Sequence, residues 1–374
     1  MAIEDLPHVE RIAAVENATP GGKRRPFAHS EIVKLLLALG AGKLVVLVTA
    51  FLANPTPNFL ENLSTLWDAS WFVKIAAHGY ADPSSLAFSP FYPALIRGLA
   101  LVIGPTWVSA LAIANVLSFL FPVVVYKTFG FRVALLAELF PTYVVFTTIP
   151  YSEALTLLLL SLSILLALRG RILASSNSLS LAIFSGYSLA WALPSFAIAF
   201  LKKWHKRTVI FFILPVLTGV LIFYWFFLST GSYLAFFTVE STHWGVSFAT
   251  PWHQISYLLK ANPIEGPGFW PFPGTWVTRN LPFEAFYVFG ALYILRTKSE
   301  HRIFLTAYSL SVILPLFFVI GTAAASIPRL MLPAFPIFIT YAAVIKGRYL
   351  WVYCAVCLSL AAWVAMAQTL SFFA

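Results

Sequence analysis

The sequence predicts an all-α fold, a polytopic transmembrane helix bundle of about eleven spans. Three observations predict it. Of 374 residues, 60% are hydrophobic and only 10% are charged. The mean hydropathy is +0.85, and the apolar residues come in runs of span length that a soluble domain has no use for. The basic residues behind the net charge of +10 sit in short clusters between those runs. That is how cytoplasmic loops are built, so no nucleic-acid partner is expected.

The elements follow in order. Residues 1–31 are polar and carry Lys23-Arg24-Arg25. This stretch is too long and too acidic for a signal peptide, and a full-length apolar run follows it. It reads as a cytoplasmic tail before an uncleaved first helix. Residues 32–374 form a single membrane domain with apolar runs near 32–53, 107–126, 133–149, 154–168, 178–192, 193–201, 208–228, 282–295, 303–325, 330–345 and 349–373. The two short runs near 178–201 split at Pro194 and can also be one broken element. Stretch 88–104 is apolar but carries Pro90, Pro93, Arg97, Gly98 and Gly104. If it crossed the membrane, every later basic cluster would face outward. As a re-entrant or surface helix it leaves those clusters inside. Then, of 24 Lys and Arg residues, only Lys74, Arg97, Lys260, Arg279 and Arg329 lie outside, with Lys43 in mid-span. The positive-inside rule selects this second topology, with the N-terminus cytoplasmic.

Two large outer loops result, at about 54–106 and 229–281. The second is rich in Pro, Gly and aromatic residues, including Pro263, Pro271, Trp270 and Phe272, as suits irregular backbone among headgroups. Cys354 and Cys357 lie inside the last apolar run and read as small core residues rather than a redox pair. Lys43 is expected to pair with Glu138, the other ionisable residue predicted near membrane depth.

The acids gather on the outer side: Glu61, Asp68, Asp82, Glu153, Glu240, Glu265 and Glu284. Such carboxylates can act as a general base, accept sugar hydroxyls, or hold Mg²⁺ or Mn²⁺. None has diagnostic metal spacing, so a divalent cation is left open and no other cofactor is implied. Asp68 stands out. It lies in Trp67-Asp68-Ala69-Ser70-Trp71, opening an amphipathic helix predicted over 69–79 on the membrane surface. On a 3.6-residue period Asp68, Trp71, Ile75 and His78 share one side, and Lys74 and His78 are an i, i+4 pair. The plainer alternative is that Asp68 caps this helix. An enzyme working on the outer face has no cytosolic nucleotide sugar, so an activated donor must be carried in the lipid.

Trp67-Asp68 with Trp71-Phe72, Ile75-Ala76, Gly79-Tyr80 and then Ala87-Phe88-Ser89-Pro90-Phe91-Tyr92-Pro93 resembles the first-loop signature of the PIG-V type family (GPI mannosyltransferase II-like), GT-C polytopic glycosyltransferases. The resemblance continues through Pro141 to Tyr151-Ser152-Glu153, Glu240 to Trp244-Gly245 and Pro251-Trp252, and Pro328-Arg329 with Pro333 and Pro336. Ser89 replaces a usual second Phe, and Leu193-Pro194-Ser195 stands where the family often has a basic residue. The resemblance implies transfer of mannose from a polyprenyl-phosphate (dolichyl-type) mannose donor to a hydroxyl of a lipid-linked or glycolipid acceptor. Asp68 is then the candidate general base, with inversion at the anomeric carbon. Arg329 is the first candidate for the donor phosphate because a guanidinium grips phosphate with a bidentate fork, and Lys74, His78 and Arg97 come next. Trp67, Trp71, Tyr92, Tyr151, Glu153, Glu240, His243 and Trp244 are candidate substrate-binding residues. A GT-C enzyme using another lipid-phosphate sugar remains open. So does a transporter or flippase, although no paired halves are visible in the sequence.

Overall fold

The computed structural model describes residues 29–200, 206–260 and 276–370. The tail with Lys23-Arg24-Arg25, together with Lys202 and Lys203, lies outside the described residues. So does the stretch from Pro263 to Gly274, with Glu265 and Trp270. The described chain is a helical bundle. Four helices are long and apolar enough to cross a membrane: His29–Ala53, Thr106–Phe129, Val209–Thr230 within Lys206–Thr230, and Arg348–Leu370. Phe131–Glu138 and Pro141–Thr148 make a fifth if taken as one span, bent by 64°. Shorter apolar helices of 10–17 residues account for most of the remaining apolar runs. Proline explains much of the shortening. Pro315 sits in the 3-10 turn Leu314–Phe318, and Pro333 and Pro336 in Leu332–Ile337, where each ring removes a backbone donor.

One expected boundary moves. The break expected at Pro194 falls at Gly186, between helix Ile172–Ser185 and the 3-10 helix Tyr187–Ala192. Pro194 lies in the first turn of Leu193–Phe200, where its missing N–H costs nothing. The apolar stretch 88–104 yields helix Phe91–Ile103, whose 13 residues span only about 20 Å at 1.5 Å each, short of about 30 Å of hydrocarbon.

Small and hydroxyl residues knit the bundle. A Cβ on Gly42 would meet Val144 Cγ1 at 3.2 Å, so His29–Ala53 approaches Pro141–Thr148 closely only because glycine is there. Ser163 Oγ donates to the Ser175 carbonyl (2.9 Å) and Ser175 Oγ to the Ser163 carbonyl (2.7 Å), a reciprocal bond between neighbouring helices. Cys357 is buried, and both cysteines are free thiols.

Lys43 does not pair with Glu138. Its ammonium donates to Asn115 Oδ1 (2.9 Å), the Thr147 carbonyl (2.7 Å) and Thr147 Oγ1 (3.4 Å). Asn115 Nδ2 donates in turn to the Thr148 carbonyl at 3.3 Å. These carbonyls end helix Pro141–Thr148, where backbone acceptors lack helical partners and the dipole favours a cation. Glu138 belongs to the other half of the bent pair. Both its carboxyl oxygens are buried with no hydrogen-bond partner among the described residues. Lys43→Met should therefore strip a helix cap and destabilise the protein by about 1–3 kcal/mol. A thermal melt in detergent reads this, and an unchanged midpoint would remove the capping role.

Candidate functional site

The first site element is helix Asp68–His78. Its N-cap is Trp67, with no side-chain cap bond, so Asp68 occupies the first turn and does not cap it. Ala69, Phe72, Val73, Ile75 and Ala76 are its buried residues, so Ile75, expected on the side of Asp68, packs inward. Asp68 and Trp71 instead line a cavity of about 1240 Å³. The chain enters this helix through strain. Trp67 has φ 48°, the one non-glycine residue with positive φ among those described. Such a conformation costs about 1–3 kcal/mol and persists only where the surroundings fix it.

Asp68 has a partner from far along the chain. Arg329 Nη1 donates to Asp68 Oδ2 at 2.6 Å. Arg329 comes from the short helix Ile327–Leu330, and its Nε lies 3.3 Å from Glu153 Oε1. That second contact is close in charge but poorly aligned, since Nε and Glu153 Oε2 both lack a hydrogen-bond partner. Glu153, like Asp68, stands in the first turn of its helix, Glu153–Leu168. Both carboxylates thus sit at helix N-termini, where the dipole favours negative charge. The guanidinium lies over the Tyr151 ring (4.9 Å to the centroid) and beside Phe146 (5.6 Å). One cation faces two anions here, with side-chain exposures of 10%, 17% and 14% for Arg329, Asp68 and Glu153. At that burial the charges interact strongly, and losing the cation would leave both carboxylates uncompensated.

The opposite wall comes from helix Ala235–Thr242 and the segment after it. Glu240 faces the cavity and joins no ion pair among the described residues. Burial, helped by the negative charge of Asp68, pushes its carboxyl up to about 7. A carboxyl raised in the folded state favours folding below its unfolded value near 4.5, and that advantage fades as pH climbs to about 7. Glu240→Gln should therefore flatten the fall in thermal stability between about pH 4.5 and 7. Melts across that range test it; a slope like that of the parent protein would show that Glu240 does not titrate there.

Trp71, Phe88 and Trp244 join the two walls. Trp71 stacks on Phe88 with ring centroids 5.7 Å apart. Trp244 meets both edge-on, at 5.6 and 5.5 Å. Trp244 Nε1 also donates to the Ser84 carbonyl at 3.2 Å. A clasp holds the Trp244 segment in place. Strand Ser247–Phe248 pairs antiparallel with Val319–Ile320, Ser247 opposite Ile320 and Phe248 opposite Val319. Thr322 Oγ1 donates to the Trp244 carbonyl at 2.6 Å. A Cβ on Gly321 would fall 2.0 Å from the Gly245 carbonyl oxygen, so only glycine fits.

The cavity brings together Trp67, Asp68, Trp71, Tyr151, Glu153, Glu240, Trp244 and Arg329 of the residues singled out from sequence. It does not bring in the rest. Lys74, His78, Arg97 and His243 are exposed and do not line it, and Lys74 Nζ instead rests 5.3 Å from the Trp71 ring centroid. Tyr92 is fully buried behind the site, edge-on to Phe72 at 5.1 Å. Among the described residues no group of three or more His, Cys, Asp or Glu converges to hold a metal ion. Sequence reading missed Gln368. It is fully buried and donates through Nε2 to Tyr151 Oη at 2.9 Å. The available signal was a lone amide in the last apolar span, since polar groups at membrane depth tend to mark function.

No known protein-family model matches the sequence, and no curated protein matches it. Solved structures do. The chain is similar to the crystal structure of ArnT from Cupriavidus metallidurans bound to undecaprenyl phosphate, with 14% identity and a TM-score of 0.51, over 88% of this chain and 63% of that one. It is also similar to the apo state of ArnT, with 14% identity and a TM-score of 0.53, over 87% of this chain and 62% of that one. The chain thus spans less than two thirds of the length of these neighbours. The likeness establishes the fold, a multi-pass helical membrane architecture of GT-C type.

Proposed function

We propose that this protein is a membrane mannosyltransferase working on the outer face. It takes mannose from a polyprenyl-phosphate mannose and adds it to a hydroxyl of a lipid-linked or glycolipid acceptor. The observation that carries the reading is the Asp68–Arg329 pair at 2.6 Å, set in a largely apolar cavity beside the strained Trp67. It puts a carboxylate able to take a proton next to a guanidinium able to hold a phosphate. A GT-C fold shared with a protein crystallised with undecaprenyl phosphate supports a lipid-phosphate donor. The PIG-V resemblance of the Trp67–Pro93 block supports mannose, and the charge distribution along the chain supports the outer face.

The reaction balances with the residues present. The acceptor oxygen forms a bond to the anomeric carbon as its proton passes to Asp68. The bond from that carbon to the donor phosphate oxygen breaks on the opposite face, which inverts the centre. Polyprenyl phosphate leaves as an anion, so no strong acid is needed. Arg329 exchanges its carboxylate contact for the donor phosphate, an acceptor that suits its planar fork. That exchange frees the oxygen of Asp68 that Arg329 holds in the resting pair.

Purified protein in lipid nanodiscs, given radiolabelled polyprenyl-phosphate mannose and native lipid acceptors, should move label onto the acceptor. Label transferred from a glucose donor in its place would overturn the choice of sugar. Movement of the intact lipid between leaflets without transfer would overturn the enzyme in favour of a flippase.

A further inference from the structure

Gln368 ties together two parts of the site that are far apart in the chain. It lies near the end of helix Arg348–Leu370 and is fully buried. Its side chain donates to Tyr151 Oη at 2.9 Å. Its backbone carbonyl accepts the indole N–H of Trp67 at 3.0 Å. The two residues it holds are the ones that shape the ion pair. Trp67 carries the strained backbone that delivers Asp68, and Tyr151 is the ring on which Arg329 lies. Tyr151 also leads through Ser152 into Glu153, the second anion against Arg329. No other described residue is hydrogen-bonded to both.

We propose that Gln368 is a positioning residue: it sets where Asp68 and the ring beneath Arg329 stand by holding Trp67 and Tyr151 at once. It touches neither reacting group. This rests on the transferase reading above for its kinetic consequence, though the positioning itself is a claim about structure alone. Misplacing reacting groups by about 1 Å costs up to about 10²-fold in rate, so the effect should fall on kcat. Gln368→Leu keeps the backbone carbonyl and the bulk of the side chain while removing the donor. Tyr151→Phe removes the acceptor and keeps the ring beneath Arg329.

Two measurements on the full-length protein in nanodiscs test this. In hydrogen exchange, Gln368→Leu should speed exchange by roughly three- to tenfold, the scale of one lost buried hydrogen bond, in the segment around 149–155, and Trp67→Phe, which removes the indole donor, should do the same around 64–72. The remaining helices should keep the parent pattern. In the mannosyl-transfer assay, Gln368→Leu and Tyr151→Phe should each lower kcat by roughly 10-fold with KM for donor and acceptor little changed, and the double variant should be no worse than either single one. Unchanged exchange in the two segments, or faster exchange throughout the bundle, would overturn the positioning role even in a protein with no transferase activity. Faster exchange in those two segments with no transfer by the parent protein would keep the positioning role and sink the mannosyltransferase reading instead. Additive losses in the double variant would show that the two residues do not act through one bond.

Discussion

Asp68→Asn should lower turnover about 10²- to 10⁴-fold, the range a positioned general base supplies. The substitution suits the test because the amide keeps nearly the same shape and can still accept a hydrogen bond from Arg329. What it loses is the ability to take a proton from the acceptor hydroxyl. Donor binding should hold, since Arg329 is retained and one competing anion beside it is gone. The measurement is single-turnover label transfer, with folding checked by thermal melting and donor affinity measured in parallel. A folded Asp68→Asn protein that transfers mannose at the parent rate would remove Asp68 from the chemistry. Loss of donor affinity with an intact rate would move it to a binding role.

Arg329→Ala should harm both stability and donor use. It removes the one cation that contacts Asp68 and Glu153 among the described residues and leaves two largely buried carboxylates uncompensated. Breaking a buried pair by deleting one partner costs about 3–5 kcal/mol. That loss should shrink as pH falls, because protonating a carboxylate removes part of the uncompensated charge. Arg329→Lys keeps the charge and should recover much of the stability. It should recover little donor use, since an ammonium lacks the fork that grips phosphate and the planar face that rests on Tyr151. If Arg329→Lys were fully active, a bidentate phosphate contact would not be needed. If Arg329→Ala raised the KM for acceptor as much as that for donor, Arg329 would not be a phosphate clamp.

Much of this site was legible along the chain, and the failures have physical causes. The Trp67-Asp68 block and its amphipathic helix were visible because helical periodicity and an isolated acid are local signals. Lys74 and His78 were expected at the donor phosphate because cations on the outer side are few, and these two lie close to Asp68 in sequence. At about 100° per residue Lys74 points well away from Asp68, and His78 lies about 15 Å further along the axis. Sequence proximity therefore stood in for spatial proximity and misled. Arg329 was found as a lone cation, but nothing local shows that it meets Asp68. That contact depends on how distant helices pack. Lys43 and Glu138 were matched by charge alone, whereas the fold uses Lys43 to close a helix end. Charge pairing is only one way to satisfy a buried ammonium, and backbone carbonyls at a helix terminus are another. The bundle class was clear from hydropathy. Individual spans were less so, because prolines at 315, 333 and 336 divide apolar runs into 3-10 and α pieces that hydropathy joins.

The Trp71, Phe88 and Trp244 triangle bears on a competition that any sugar-transferring enzyme of the proposed kind must win. A base able to activate an acceptor alcohol can activate water equally well, and water reaching the anomeric carbon would hydrolyse the donor. A bound water needs about two to four polar partners, and three aromatic rings packed together supply few. Excluding solvent at this wall would let the same carboxylate serve transfer while suppressing hydrolysis. Chemical yield per donor consumed would then depend on ring packing as much as on the base.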